Sequence, residues 1–114
     1  MKQSEIRFKI SLNEQNVPVD IKWQATDTPN QELRDSKSIM ISIWDAVQKD
    51  TLKIDLWTNE MTTDEMHSQF FQTLLSMADS YQRATKNPFV KEDVKAFAQT
   101  LAKKTSDWEN EKNN

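Results

Sequence analysis

The apolar residues of this chain recur at two different spacings, and the change from one to the other falls near residue 60. Up to Trp57 they occupy every second position, which is the period of a half-buried β-strand. From Met61 onward they recur at every third or fourth position, which is the period of an amphipathic helix. Strands followed by helices predict an α+β fold. The length of 114 residues is typical of one domain, so we expect a single domain over residues 1–114.

Four strands are predicted in the first half of the chain. The alternation indicates strands at residues 6–12, 17–25, 38–45 and 51–57. Short polar connections inside the first and the second pair favour antiparallel neighbours. The polar segment 26–37 is too long for a tight turn, and we expect a single helical turn around Leu33 within it. The sequence therefore predicts one four-stranded antiparallel sheet.

Two helices are predicted to follow the strands. Thr62 and Glu65 have the spacing of a capping box at the start of the first helix. The pair Asn87-Pro88 predicts the end of that helix and the start of the second, with Asn as the cap and Pro in the first turn. We expect both C-terminal helices to pack on one face of the sheet. Residues 109–114 contain no apolar side chain, and we expect them to fray.

Composition excludes several classes of function. The chain has no glycine and no cysteine, which excludes glycine-rich phosphate loops, disulfides and cysteine-ligated zinc. Turns that need a positive φ must use other residues, and Asn and Asp are expected there. The net charge of −3 is mixed along the chain without a basic stripe, so nucleic-acid binding is not expected. No apolar stretch is long enough for a signal peptide or a membrane span, and a cytoplasmic location without membrane insertion is predicted.

The titratable residues do not predict a catalytic or metal site. The one histidine, His67, lies in the first turns of the predicted helix without a nucleophile beside it, and we expect it to be a solvated surface residue. Four carboxylates could gather at one end of the sheet to bind Mg²⁺, but their positions suit turns and ion pairs better. These are Asp45, Asp50, Asp55 and Glu60. We therefore expect no enzyme, no cofactor and no metal.

The four tryptophans are the strongest indication of function. Trp23 shares strand parity with Ile21 and is expected in the core. Met40, Trp44 and Trp57 lie on the strand faces opposite the isoleucines and leucines, and an exposed apolar patch of this kind normally marks a binding surface. The alternative is that sheet twist or the helices bury them. Trp108 is either a lid on the core or a second anchor for a partner.

A set of segments spread over most of the chain carries a resemblance to a known family. These segments are Ser4–Ile6, Trp23, Ala25–Asp27, Ile39–Asp45, Thr51–Thr58, Asp64–Met66, Phe71–Asp79 and Arg83–Thr85. Together they resemble the gliding-motility protein GldC family of Bacteroidota, and the resemblance weakens after residue 86. It implies an accessory cytoplasmic protein of the gliding machinery, a system linked to type IX secretion, and it implies no catalytic residue.

Two functional hypotheses follow, together with a prediction of self-association. The first is an adaptor or assembly factor that binds a protein of the motility or secretion apparatus. The alternative is a holdase chaperone for export clients, because four strands followed by two helices is an architecture similar to that of SecB. A homodimer is also predicted, because residues 38–44 form a strand without any charge to protect its edge. Either this edge or the open face with Met40, Trp44 and Trp57 would be buried in the dimer.

Overall fold

The computed structural model describes residues 1–112, apart from the side chain of Asn30. It consists of two compact units, of which the first spans Met1–Met61 and the second begins at Thr62. The first unit contains all the strands and the second contains two helices. The α+β class and the two C-terminal helices are therefore confirmed. The packing of the helices on one face of the sheet, and the single domain, stay predictions.

The strands of the first unit form two antiparallel sheets, so the prediction of one four-stranded sheet is wrong. The first sheet has the order β1-β2-β3 and the second is the hairpin β4-β5. The physical reason is a short strand within the polar segment 26–37, which adds a third strand beside β2. The strands are β1 Ile6–Leu12, β2 Pro18–Ala25, β3 Arg34–Ser36, β4 Ser38–Asp45 and β5 Asp50–Trp57.

The apolar content of the polar segment 26–37 is too low to show the period of a strand. A 3-10 helix at Pro29–Gln31 is followed by β3, and the helical turn expected around Leu33 is absent from it. Strand β3 is held by its partners on β2, where Lys22 lies opposite Asp35 and Trp23 opposite Arg34. Neither pair is apolar, so hydrophobic alternation could not reveal this strand.

The core of the first unit is small. Ile21 is fully buried on β2 and Ile39 is buried on β4. Two backbone hydrogen bonds are made just after β5, and the first of them connects the second sheet to the first. The Asn59 N–H donates to the Pro18 carbonyl at 3.2 Å, and the Thr58 N–H donates to the Lys37 carbonyl at 2.8 Å. The second bond extends the β4-β5 ladder by one residue beyond Ser38.

Four residues occupy the left-handed region that glycine usually fills. Asn16 does so in the first hairpin turn (φ 62°), where the Asn13 side chain accepts hydrogen bonds from the Gln15 and Val17 N–H groups. The others are Gln31, Lys49 and Lys86, with φ of 51°, 55° and 64°. The expectation of Asn or Asp at such positions is thus met once, and longer side chains take the remaining three.

The second unit is an antiparallel pair of helices, α1 Thr63–Thr85 and α2 Val90–Lys112. The predicted capping box is confirmed, because the Glu65 N–H donates to Thr62 Oγ1 and the Thr62 N–H donates to Glu65 Oε1. The helices meet at Ala78 and Ala98, which are both buried. Asn87 Oδ1 accepts from the Phe89 N–H as a cap would, although regular helix begins at Val90. Of the segment expected to fray, residues 113–114 lie outside the described part of the chain.

Candidate protein-binding surfaces

The β4-β5 hairpin, called the ribbon below, has an apolar face that becomes more exposed toward its turn. This Ile/Leu face consists of three directly opposed pairs, Ile39 with Leu56, Ile41 with Ile54, and Ile43 with Leu52. The exposed fraction is 8% at Ile39 but 47% at Ile43 and 50% at Leu52. The half of this face near the turn is therefore open, although its parity predicted core.

This open half is a surface that the sequence reasoning missed. Parity assigns residues to one face or the other of a strand, but it does not say which face has a neighbour. The ribbon pairs with no third strand among residues 1–112, so no neighbouring strand adds side chains beside Ile43, Leu52 and Ile54 on this face. A two-stranded hairpin is at best marginally stable in water, which makes an uncovered ribbon of this kind unusual.

The opposite face of the ribbon carries the predicted binding residues Met40, Trp44 and Trp57. Trp44 is 65% exposed and Trp57 is 55% exposed, while Met40 is half-buried. Trp57 lies opposite Ser38, diagonal to Met40, and these two residues share the end of the ribbon away from the turn. Trp44 lies near the turn, about 20 Å away along the strand.

Polar residues separate the two ends of this face. Met40 is opposite Asp55 and Ser42 is opposite Lys53. Lys53 Nζ lies 3.3 Å from an Asp55 carboxylate oxygen, so a solvent-exposed ion pair crosses the middle of the face. The predicted patch is therefore two separate apolar anchors rather than one continuous surface.

Trp23, which was expected in the core, is half-buried and has a cationic neighbour. The Arg34 guanidinium lies 5.7 Å from the centroid of the Trp23 ring. Beside them, Lys22 donates to Asp35 and lies 3.7 Å from Asp20. The hydrogen bond from Lys22 to Asp35, and then the negative charge of Asp20, raise the pKa of Lys22 above its usual 10.5. These contacts fix β3 on β2 and leave no convergent polar site.

The helical unit has an apolar face of its own, which includes Trp108. On α1, three exposed apolar residues lie about a quarter-turn from Ala78, and on α2 three apolar residues lie about the same rotation from Ala98. In an antiparallel pair, equal rotations from the contact line put both stripes on the same side. This helical apolar face consists of Phe70, Met77 and Tyr81 on α1 and of Phe97, Leu101 and Trp108 on α2.

His67 joins the ends of the two helices instead of being a solvated surface residue. Its Nε2 lies 3.1 Å from Glu109 Oε1, and its ring meets that of Trp108 edge-on with 6.3 Å between centroids. Lys112 Nζ covers the Trp108 ring at 4.5 Å. Trp108 is still 48% exposed, so these contacts orient the indole without burying it.

A second polar contact joins the helices near their connecting loop. Lys91 donates to one oxygen of Asp79 at 3.0 Å, and Arg83 donates to the other at 3.0 Å. The hydrogen bond from Lys91 is the main cause that lowers the pKa of Asp79 below its usual 3.8. Both cations are used in this pairing, and Arg83 Nη2 also donates to Ser80 Oγ at 3.3 Å, so we interpret the contact as structural.

Two of the four carboxylates considered for Mg²⁺ are engaged in other contacts. Asp45 Oδ1 accepts hydrogen bonds from the Val47 and Gln48 N–H groups in the ribbon turn, and Asp55 pairs with Lys53 on the same strand. Within the described residues there is no group of three His, Asp or Glu side chains arranged to hold a metal ion.

Besides an open hollow of about 350 Å³ on α1, which is lined by Asp64, Glu65, Ser68, Gln69 and Gln72, two depressions lie within single units. The first, about 120 Å³, is polar and is lined by Glu5, Arg7, Gln24, Ala25, Thr26 and Gln31. The second, about 250 Å³, is an apolar groove between the helices lined by Phe71, Leu75, Lys95, Ala98, Gln99 and Ala102. Ala98 is buried at its base. Both are open to solvent, and neither gathers the acid, base and nucleophile of a catalytic centre.

A protein-family comparison identifies the chain at the level of its family. The model for the family described as gliding motility-associated protein GldC-like matches residues 18–107, which is more than half of the chain. The chain belongs to the GldC-like family. No curated protein and no solved structure matches significantly. Neither helix of the described chain combines the length and the apolar character needed to cross a bilayer.

Proposed function

We propose that this GldC-like chain is a non-enzymatic accessory protein of the gliding-motility and type IX secretion apparatus, acting in the cytoplasm as an adaptor or assembly factor. One observation carries the proposal. Two tryptophans of the ribbon, Trp44 and Trp57, are more than half exposed on a face without a catalytic group. Exposed tryptophan is depleted on ordinary surfaces and enriched at the energetic centres of protein interfaces.

The division of this face suits a bidentate contact. The two anchors, Trp44 near the turn and Trp57 with Met40 at the other end, are separated by the Lys53–Asp55 ion pair. A partner with two apolar pockets about 20 Å apart and polar groups between them fits this pattern. Each buried indole should supply a large share of the affinity, and the central ion pair should mainly fix orientation.

Affinity capture from the native host tests this function. The wild-type chain should retain a stoichiometric protein of the motility or secretion apparatus. The double variant Trp44→Ala/Trp57→Ala should lose it, because truncating two interface anchors commonly raises Kd by roughly a hundredfold or more. Val47→Ala is the matched control, since Val47 is an exposed apolar residue in the ribbon turn and belongs to neither anchor.

Three readings of that experiment are distinct. Equal capture by the wild type and the double variant, or no stoichiometric protein with either, contradicts the adaptor role. Circular dichroism of the double variant should show an unchanged melting curve. A cooperative transition lost on substitution would mean that the tryptophans are part of the fold and not of an interface.

A holdase chaperone is the second candidate, and the helical apolar face favours it. That face adds several exposed apolar side chains to those of the ribbon, and a chaperone for unfolded chains needs broad apolar area. The wild-type chain should then delay aggregation of several unrelated unfolded proteins, and Phe97→Ser/Trp108→Ser should reduce the delay. Protection of none of them removes this candidate.

Self-association is part of the proposal. We propose a homodimer at micromolar concentration, because the ribbon leaves both apolar surface and strand edges without a partner among residues 1–112. The dimer and the adaptor role are separable, since the two tryptophans need not lie at the contact between copies.

A further inference from the structure

We infer that two copies of the chain join through the outer edge of β4, in an antiparallel pair whose twofold axis passes between the two Ile41 residues. The inference rests on the proposed homodimer and specifies its geometry. It gives a four-stranded sheet in the order β5-β4-β4-β5. Four observations carry it: the unpaired edge of β4, the backbone groups aimed at that edge, its lack of charge, and the placement of Lys37 and Asp45.

The direction of the backbone groups follows from the hydrogen-bond register of the ribbon. The Thr58 N–H donates to the Lys37 carbonyl, so the backbone N–H and carbonyl groups of Lys37 point toward β5. In an antiparallel strand these groups point to alternate sides at successive residues, so those of Ile39, Ile41 and Ile43 also point toward β5. Ser38, Met40, Ser42 and Trp44 therefore point their N–H and carbonyl groups outward.

Part of this edge is already satisfied, and the remainder is available. Ser36 Oγ accepts from the Ser38 N–H at 3.2 Å and donates to the Ser38 carbonyl at 2.7 Å. No strand within residues 1–112 pairs with the outward groups of Met40, Ser42 and Trp44. An edge of this length without a partner is a template for another strand.

The other free edges carry charges that discourage pairing, and β4 does not. Lys9 and Arg7 lie along β1, while Asp50, Lys53 and Asp55 lie along β5. Strand β4 holds no charge between Ser38 and Trp44. Pairing of β4 with a second copy of β4 therefore buries no charge between residues 38 and 44, whereas pairing with the other edges would.

The register follows from the charges at the two ends of β4. With the axis at Ile41, Lys37 lies opposite Asp45 of the second copy, and the same pair recurs by symmetry. Moving the axis to Met40 would carry Asp45 beyond the start of β4, and moving it to Ser42 would set Asp45 opposite the apolar Ile39. The Ile41 register is the one of the three that pairs opposite charges.

A cation beside Asp45 would also reduce a repulsion within the ribbon itself. It lies directly opposite Asp50 in the ribbon, and like charges in that position destabilise a strand pair. The positive charge of Lys37 of the second copy would lie beside Asp45 and reduce this repulsion, while Lys37 keeps the interaction that it has within its own copy. In the same register Met40 exchanges backbone hydrogen bonds with Ser42 of the second copy, while Ile39 packs against Ile43. The Ile/Leu face then becomes continuous across both copies.

Cysteine crosslinking measures this register, because the chain contains no cysteine. Ile41 faces itself in a pair without hydrogen bonds, where Cα atoms are about 4.5 Å apart and a disulfide can form. In the dimer of Met40→Cys, or of Ser42→Cys, the Cα atoms of the two substituted residues would be about 8 Å apart, which is too far for a disulfide. Ile54→Cys is the control on the same face as Ile41. In the proposed sheet it lies three strand spacings, or about 14 Å, from Ile54→Cys of the second copy.

Oxidation at micromolar concentration should give a covalent dimer with Ile41→Cys and none with the other three variants. Stronger crosslinking at position 40 or 42 overturns the register, and crosslinking at position 54 indicates face-to-face packing instead. Absence of all four crosslinks in a chain that sediments as a dimer overturns the β4 contact while leaving the dimer. A wild-type monomer overturns both, whereas the adaptor role is decided separately by partner capture.

Two further substitutions test the edge and the charges without cysteine. Ser42→Pro removes an outward N–H that β5 does not use, so the chain should stay folded with Kd for the dimer raised roughly tenfold or more. Asp45→Asn keeps the acceptor of the ribbon turn and removes the charge, so Kd should rise roughly threefold at low salt. Asp50→Asn is the matched control and should not weaken the dimer. An unchanged Kd in Ser42→Pro, measured by sedimentation, overturns the inference.

Discussion

At the scale of single residues, the lack of glycine places ordinary side chains in left-handed backbone conformations. Lys86 ends α1 with φ of 64° while its N–H donates to the Gln82 carbonyl. A Cβ in this region costs about 1–2 kcal/mol, which glycine avoids at some expense of chain entropy. We expect Lys86→Gly to raise the free energy of unfolding by roughly 1 kcal/mol, measured by urea titration of the helical circular dichroism signal.

A lysine-to-glycine substitution in the interior of α2 is the control for Lys86→Gly. Lys104 is an exposed residue in the interior of α2, where glycine costs about 1 kcal/mol relative to a good helix former. Lys104→Gly should therefore lower the free energy of unfolding. Destabilisation by both substitutions would contradict the left-handed ending of α1.

Asp79 gives a prediction about pH at the same scale. Because its folded pKa is lowered, mainly by Lys91, its ionised form stabilises the fold at pH values above the unfolded pKa, and this contribution is lost as pH falls through the folded pKa. Asp79→Asn should lower the melting temperature at neutral pH. The difference from wild type should be full above about pH 5 and disappear in stronger acid. A melting-temperature difference between wild type and Asp79→Asn that stays constant across an acid titration would contradict the stabilising role of the ionised Asp79.

At the scale of elements, the start of α1 is the best-specified boundary in the chain. Thr62 and Glu65 satisfy each other's backbone N–H groups. Thr62→Ala should lower the free energy of unfolding by about 1 kcal/mol, because the Glu65 N–H loses its acceptor. Thr63→Ala, one residue on and inside the helix, should change it much less. Equal effects in urea titrations of both variants would contradict the cap.

Local patterns predicted most of the elements, and they failed where tertiary neighbours decide. The strand at 38–45 and the capping box depend on spacing within a few residues and were predicted correctly. Strand β3 depends on partners in β2 that are charged or aromatic, so its own three residues carried no signal. The division into two sheets is a property of strand pairing, which alternation does not encode.

The candidate surfaces show the same limit. Parity placed Trp44 and Trp57 correctly on the face opposite the isoleucines, and both are exposed. It also placed Ile43 and Leu52 in a core, whereas they are about half exposed. The separation of the tryptophans by the Lys53–Asp55 pair follows from the register of the ribbon, which depends on a turn that hydrophobic alternation does not fix.

At the scale of the whole molecule, GldC-like family membership and the exposed apolar surfaces lead to the same proposal, a protein that works by contact with other proteins. Several side chains of the kind used in catalysis are engaged in caps, ion pairs and helix contacts. His67 with Glu109 and Asp79 with Lys91 hold the helices together. The face of the ribbon with Trp44 and Trp57 offers a partner two apolar anchors with one ion pair between them.

Photocrosslinking inside the native host tests this central claim most directly. A benzophenone side chain replaces Trp44 or Trp57 in turn, and replaces the exposed Glu92 of α2 as the control. The account predicts one dominant adduct with a protein of the motility or secretion apparatus from positions 44 and 57, distinct in mass from a pair of this chain, and none from position 92. No adduct at either tryptophan position, or a broad ladder of unrelated proteins, would contradict it.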